Sequence, residues 1–493
     1  MNVLLLAMPD IQIQLKSWRP PSIALSTLAG NVSERHTVKI ADLMLRRKKI
    51  PETIAEVLGT QKPEIVGISS MSFQYDTARR TARLIRRLAP DAKIVLGGYH
   101  PTLAHDEIAD GPDADCFDFL VRGEADSSFG ELLDALEDQK DLAAVAGLSF
   151  RRDGRFIHNP PRGLQDLGAV RTQNRGARLF KNYRFGLRGV DVVEFSRGCT
   201  MSCKFCSMHH MYGRTFRPFP LERSIADMED AVRHGATFIT LADDNIILDP
   251  PYFGAVCDAI VAAGLGKIPK LVQASCLGIA RNPDLVDKMH RAGFKMVFLG
   301  IENVSKANLK ALSKANSYEI TQKAVALLHA RDFIVIGGMI VGNPDDTEET
   351  IRENYVAFRE LDVDLNADLI LTPYPKTILR DELLAEGLVT NPDDFSRYNG
   401  FWANVRTRHL SADELQFIRW KCHEEFSTYY HSSRVLRRSY PLLTMFRQFI
   451  DIPFQRVKWK IRFRGMDRRQ IYEWYMRKYE RMNHFFEDQK AKA

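Results

Sequence analysis

Two stretches of this chain repeat one pattern: a short apolar run, a stop at glycine or a polar side chain, then a span with helical periodicity. In the first stretch the apolar runs are 3–8, 37–41, 64–69, 93–96 and 117–121, and the helical spans are 22–31, 54–58, 76–88 and 127–136. In the second the runs are 238–242, 270–274, 296–300, 333–336 and 369–371. A strand that is apolar on both faces has to be covered on both faces, and strand–helix alternation supplies that cover in parallel sheets. The pattern therefore predicts an α/β protein. Residues 1–140 read as a doubly wound parallel sheet, and residues 191–405 as a partial (β/α) barrel. Both architectures bind ligands at the carboxyl ends of their strands. Those ends here carry Ser69 and Ser70, Gly97 and Gly98, Gly123 and Glu124, then Asp244 and Asn245, Glu302, and the stretch from Gly338 to Gly342.

The rest of the chain is plainer. Residues 141–190 read as a linker with two short strands around an Asp153-Gly154 turn. From 406 to 493 the pattern is mainly helical, opening on Ser411 as a helix cap followed by an acidic first turn. Residues 456–464 alternate basic and apolar, which predicts an extended segment with one basic and one apolar face. The net charge of +7 is concentrated here: from Arg434 on there are 16 Lys/Arg against 6 Asp/Glu, so the remainder of the chain is slightly acidic. Basic residues interleaved with Trp and Phe suit an anionic membrane surface, or terminal elements packed on the barrel. No nucleic-acid recognition fold accompanies them. No apolar run reaches the length of a membrane-spanning helix, and the first residues lack the basic flank of a signal peptide. Seven cysteines, four of them scattered, form no disulfide framework and suit a reducing cytoplasm.

The other three, Cys199, Cys203 and Cys206, are spaced C-x3-C-x2-C directly after an apolar, β-prone run (Val192, Val193, Phe195). Three thiolates on one tight loop can hold three irons of a cubane, and a closed four-iron cluster wants four. No fourth Cys lies nearby, so the fourth iron is open to a small molecule. Zinc would ask for a second knuckle or for His209 or His210 to complete four ligands. Those histidines otherwise read as helix-surface or core residues. Tyr212, Tyr374 and Trp402 read as core aromatics or as the lining of a substrate channel.

The cysteine spacing resembles the signature of the radical S-adenosylmethionine (radical SAM) superfamily. The resemblance implies a [4Fe-4S] cluster on Cys199, Cys203 and Cys206, with Phe205 packed near the adenine of S-adenosylmethionine. It implies Asp244 and Asn245 at the methionyl amine, and Glu302, in a Gly-Ile-Glu motif, near the ribose and methionine moiety. It also implies the backbone from Gly338 to Gly342 against the adenine. Residues 372–377 resemble a Pro-x-Pro-Gly-Thr motif with Lys376 in the glycine place. The N-terminal stretch has no G-x-G-x-x-G. It resembles the Rossmann-like cobalamin (B12)-binding domain that precedes many radical SAM cores. Ser69 and Ser70 match its hydroxyl loop, Gly97 and Gly98 the glycine pair along the nucleotide tail, and Glu124 its last-strand motif. The D-x-H-x-x-G motif that supplies a cobalt-ligating His is absent: the loop reads Asp10-Ile11-Gln12-Ile13-Gln14-Leu15.

Over residues 1–430 the chain thus resembles cobalamin-binding radical SAM enzymes, a group that includes class B methyltransferases and the anaerobic magnesium-protoporphyrin ester cyclase. The resemblance implies that one S-adenosylmethionine methylates the cobalt. A second gives a 5′-deoxyadenosyl radical that takes hydrogen from an unactivated carbon, which is then methylated. Two alternatives stay open: a radical oxidative cyclase or ring-forming enzyme, and a non-enzymatic Fe-S/B12 redox or sensor protein. The implied partners are a small-molecule or lipid substrate and an electron donor such as flavodoxin or ferredoxin. The expected place is the cytoplasm, with peripheral membrane contact through the basic C-terminal region.

Overall fold

The computed structural model describes residues 1–9, 18–430, 446–483 and 486. The loop at 10–15 and the stretch 440–445 lie outside them. The described residues form two large sheets, a two-stranded ribbon and a helical C-terminal layer.

The first sheet runs in the order β3-β1-β4-β5-β6-β7-β8. Its parallel strands are β1 (Asn2–Ala7), β3 (Thr37–Asp42), β4 (Ile65–Ser69), β5 (Lys93–Gly97) and β6 (Phe119–Val121). β1 pairs in parallel with both β3 and β4, so the winding reverses there and leaves a crevice at the carboxyl ends. Period-two alternation sends Leu4 and Leu6 to one core, with the helices Ile50–Gln61 and Tyr75–Leu88. Val3 and Leu5 go to the other, with Ile23–Asn31 and Ala125–Glu137. This is why the runs read apolar throughout. Ser22 caps the first helix through the Leu25 amide at 3.4 Å.

The hairpin expected in the linker does more than connect. β7 (Leu148–Arg152) joins the first sheet antiparallel to β6, and β8 (Arg155–His158) pairs antiparallel with β7 at the edge. Asp153 and Gly154 both take left-handed backbone at their turn. Leu148 and Phe150 are buried in the sheet's own core, and the hairpin covers what would be an open edge of β6.

The second sheet has the order β17-β16-β15-β14-β13-β10-β9-β2 and is open, with β17 and β2 at its edges. Its parallel strands are β10 (Arg188–Val193), β13 (Phe238–Leu241), β14 (Lys270–Ser275), β15 (Phe294–Glu302), β16 (Ile334–Val341) and β17 (Leu365–Ile370). Two short strands, β9 (Arg184–Phe185) and β2 (Trp18–Arg19), complete it antiparallel. β2 comes from the N-terminal stretch and crosses to the second sheet, which the alternation does not foretell. β16 is longer than its apolar run predicts because Gly337 and Gly338 lie inside it. A Cβ on Gly338 would meet the Phe298 ring at 3.0 Å, so close packing rather than a turn explains that glycine.

One face of this sheet carries the helices and the main core. The other holds Phe238, Leu271, Met296 and Ile334 as an apolar layer against Trp18, Tyr183 and Phe185. Two residues further along, toward the carboxyl ends, β13, β14 and β15 bring Thr240, Gln273 and Phe298 to that face.

Residues 412–430 form a helix, Ala412–Tyr430, whose Ser411 and Glu414 exchange capping hydrogen bonds. Leu415, Ile418, Cys422 and Phe426 seal the barrel core. Trp420 enters a second aromatic cluster with Phe401, Trp402, Phe463, Ile471 and Tyr472. The extended segment expected at 456–464 is not found: Ile452–Arg462 is helical. Pro453 sits in the first turn, where its missing N–H costs nothing, and Gly465, at φ 78°, follows the helix end. The two-residue alternation of charge hides a stripe at three- and four-residue steps. Among the described residues no helix is long and apolar enough to cross a membrane.

Candidate active site

The cysteine loop is pinned at both ends. β11 (Ser196–Arg197) leads into it and pairs with β12 (Arg217–Pro218) behind it. Gly198 opens the loop at φ 90°, where a Cβ would lie 2.4 Å from the Thr215 carbonyl. Further along, the Lys204 amide donates to Leu312 O at 3.1 Å and the Lys204 carbonyl accepts from Leu379 N at 3.2 Å. Cys199, Cys203 and Cys206 are all unpaired and half-buried. Burial raises each thiol, Cys206 to about 11; at Cys203 the Lys314 ammonium opposes that rise. Metal binding reverses such a rise by taking the thiolate. Three thiols on one pinned loop are a donor set that fits three irons of a cluster. His210 turns away, its Nε2 2.6 Å from the Lys376 carbonyl. Lys376 keeps the tight turn of its motif in spite of its side chain, at φ 63°. Phe205 packs against the barrel core.

The strand-end residues of the second sheet converge on this loop. Asp243 is fully buried and accepts from Ser196 Oγ at 2.6 Å and from Phe195 N at 3.2 Å; burial pushes its carboxyl up to about 7. Asp244 accepts from Gly198 N at 3.0 Å and is likewise raised by burial. Asn245 accepts from Ser275 N at 3.2 Å, which spans the ends of β13 and β14. Glu302, at φ 68°, accepts from Lys314 Nζ at 2.7 Å. Burial works against the charge on Lys314, but Glu302 and Cys203 outweigh it and hold the ammonium above its ordinary pKa. Nothing in the sequence around Lys314 marks it; only the fold brings it to Glu302. Gly338 lies beside Phe298 and Glu302. Gly342, at φ 89°, is closed over by Leu415 at 2.8 Å from an added Cβ. On the face opposite the helices the buried hydroxyl of Thr240 has no hydrogen-bond partner among the described residues.

The first sheet contributes a cavity of about 480 Å³ at its carboxyl ends. Ser69, Gly97, Gly98, Gly123 and Glu124 line it, with Ala7 and Met8 after β1. Gly98 has φ 100°, and a Cβ there would sit 2.8 Å from the Ser70 carbonyl. A Cβ on Gly97 would meet nothing nearer than 3.9 Å, and one on Gly123 nothing within 4 Å. These glycines leave a cradle that side chains would fill, which fits the tail of a large ligand. Ser70 is not in the lining. It is buried, and its carbonyl accepts from His100 N at 3.1 Å, bracing the Gly98 turn.

The cavity does not stop at the first sheet. Its wall includes Arg197, Met211 and Tyr212 from the cysteine-loop side, and Trp18 and Arg19 of β2. Tyr99 follows the glycine pair and meets Tyr212 edge-on at 6.5 Å between ring centroids. Glu124 is held, not free. It accepts from Arg197 at 3.0 Å, from Arg217 at 2.9 and 3.0 Å and from Gln165 N at 2.8 Å. Arg197 also reaches Asp126 at 2.6 Å and Glu194 at 2.8 Å, all of them buried. A buried arginine two residues before the first cysteine therefore clamps the two sheets together.

Two family models match the chain: the Radical SAM superfamily over residues 193–355 and the B12 binding domain over residues 19–133. An uncharacterized methyltransferase of Pyrococcus horikoshii is 26% identical over 428 residues, 86% of this chain and 92% of that protein. The anaerobic magnesium-protoporphyrin IX monomethyl ester cyclase of Rubrivivax gelatinosus is 26% identical over 419 residues, 82% of this chain and 74% of the cyclase. The fold is shared with TsrM, a radical S-adenosylmethionine methyltransferase of Kitasatospora setae solved with tryptophan and a SAM analog. The TM-score is 0.67 at 18% identity, over 87% of this chain and 88% of that one.

Proposed function

We propose that this chain, a radical SAM enzyme with a cobalamin-binding domain homologous to radical SAM methyltransferases and to magnesium-protoporphyrin cyclases, methylates an unactivated carbon. One observation carries the reading: the cavity at the first sheet shares its wall with the cysteine loop, through Tyr99 on one side and Met211 and Tyr212 on the other. A substrate between them is within reach of both cofactor sites.

Bound there, the [4Fe-4S] cluster with S-adenosylmethionine supplies hydrogen abstraction from carbon, and cobalamin supplies the methyl group. Cys199, Cys203 and Cys206 would hold the cluster. Asp244, Asn245, Glu302, Gly338 and Gly342 would hold S-adenosylmethionine, with Phe205 behind its adenine. Lys314 holds the Glu302 carboxylate in place through its Nζ hydrogen bond. Ser69, Gly97 and Gly98 would cradle the cobalamin tail, while Glu124 acts through its arginines to hold that cradle against the barrel. Tyr99 and Tyr212 exclude water between the two sites. We place the protein in the cytoplasm, at the membrane surface, with a low-potential electron donor such as flavodoxin or ferredoxin.

A ring-forming oxidation is the second reading, favoured by the equal identity to the Rubrivivax cyclase. Product analysis of anaerobically reconstituted protein with cobalamin, S-adenosylmethionine, reductant and cell extract separates the two. Matched S-adenosylhomocysteine and 5′-deoxyadenosine, dependent on extract and lost in Cys203→Ala, is the expected result. Extract-dependent 5′-deoxyadenosine alone would favour the cyclase reading instead.

A further inference from the structure

Outside the site, one surface has no role in the fold. Phe446, Phe449, Ile450, Phe454, Val457 and Ile461 are each between 53% and 72% exposed. Taken as 446, 450, 454, 457 and 461 they advance in steps of three and four, one stripe along the turn Arg447–Asp451 and the helix Ile452–Arg462. The other side of that helix is where it is anchored. Trp459 meets the Phe463 ring at 5.4 Å, Phe463 is buried against Trp474 at 5.1 Å, and the Arg462 guanidinium stacks over Trp474 at 5.4 Å. The stripe therefore faces away from the protein body. Exposed Lys458 and Lys460 flank it, and exposed Arg464 follows the helix end. Over residues 446–464 there are six Lys/Arg and a single acid, Asp451.

An apolar stripe bordered by cations selects among partners. A second copy would set like charges against each other, and nucleic acid would leave the stripe in water. An anionic lipid surface meets both demands at once, headgroups to the lysines and acyl chains to the stripe. We propose that this helix lies in the headgroup layer of an anionic bilayer with its stripe downward. The inference rests on the functional reading above for its consequence, that the substrate is drawn from the membrane.

The test is flotation of the cofactor-reconstituted full chain with vesicles of phosphatidylcholine alone and of phosphatidylcholine with phosphatidylglycerol. The protein is expected to float with the anionic vesicles and to be released by salt. Phe454→Ser with Ile461→Ser should weaken partitioning by roughly tenfold or more, since each removes a lipid-buried side chain. Lys458→Gln with Lys460→Gln, at exposed positions, should abolish the preference for anionic lipid. Both variants should keep cobalamin and cluster absorbance. Absence of flotation in the wild type would overturn the proposal, as would flotation unchanged by either pair. A dimer in solution that the serine pair abolishes, without vesicle binding, would assign the stripe to a second copy and overturn it too. Wild-type flotation without turnover of S-adenosylmethionine would leave the docking surface standing and remove the functional reading instead.

Discussion

Lys376 stands at a position whose backbone, φ 63°, suits glycine, and a side chain there costs roughly 1 kcal/mol. The turn persists because its carbonyl binds His210 and the Thr377 hydroxyl closes it onto Tyr374 O at 2.7 Å. Lys376→Gly should therefore keep activity and raise stability by up to about 1 kcal/mol, whereas Lys376→Val should lower it by at least that much; urea midpoints decide. His100 gives a pH dependence of known sign. It is buried between Tyr75, 4.2 Å away centroid to centroid, and Phe395, and burial lowers its pKa to about 3. The folded chain thus refuses a proton that the unfolded chain accepts. The stability in question is complete above the unfolded pKa near 6.5 and is lost as pH falls toward 3. At about pH 5.5 the loss should be roughly 1 kcal/mol relative to about pH 7.5. His100→Phe should lack it, seen as a smaller difference between thermal unfolding curves at the two pH values.

At the level of elements, the structure depends on pairs that join distant segments. Arg197 on β11 binds Glu124 and Asp126 at the end of the first sheet, over 73 and 71 residues of sequence. Removing it as Arg197→Met leaves Glu194, Asp126 and Glu124 buried together, a loss on the order of 3–5 kcal/mol for an uncompensated buried charge. Arg217→Met should cost clearly less, because Glu124 keeps Arg197. Thermal shift of the two variants checks the ranking, and Asp126→Asn should recover part of the Arg197→Met loss. These pairs mark where sequence reading stops. The inner parallel strands of the first sheet were legible because both faces of each are buried, and the cysteine loop because three thiols at that spacing have few other uses. Asp244, Asn245 and Glu302 were legible from their place at strand ends. Arg197, Lys314 and Tyr99 were not, since their partners come from the other sheet or from an unremarkable turn. Ser70 was read into the lining, yet it braces the Gly98 turn, because adjacent residues after a strand point opposite ways. The helix Ile452–Arg462 was read as extended because alternating charges fit period two, while the stripe at three- and four-residue steps fits a helix equally well. Burial of Phe463, with the Trp459 ring packed edge-on against it four residues back, decides between them.

For the whole molecule, two ligand cradles meet at one cavity but rest on separate supports. The glycine cradle is built from β4, β5 and β6, and the cysteine loop from β11, β12 and contacts to Leu312 and Leu379. Damage to one should leave the other formed, which is what allows the proposed reaction to be taken apart. Gly98→Ala puts a Cβ 2.8 Å from the Ser70 carbonyl in a left-handed backbone, a strain of about 1–3 kcal/mol confined to the cradle. It should lower cobalamin retention by roughly tenfold or more with cluster absorbance unchanged. S-adenosylmethionine should still be cleaved to 5′-deoxyadenosine, without S-adenosylhomocysteine. Cys203→Ala should do the reverse, retaining cobalamin while losing the cluster absorbance and all 5′-deoxyadenosine. Ultraviolet–visible spectra of the reconstituted variants and chromatography of the two nucleoside products read both halves. If Gly98→Ala also lost the cluster, the supports would be one cooperative unit, and the Arg197 clamp would be the connection to break next. If instead both products fell together with cofactors intact, the shared wall at Tyr99 and Tyr212 would be carrying more than exclusion of water.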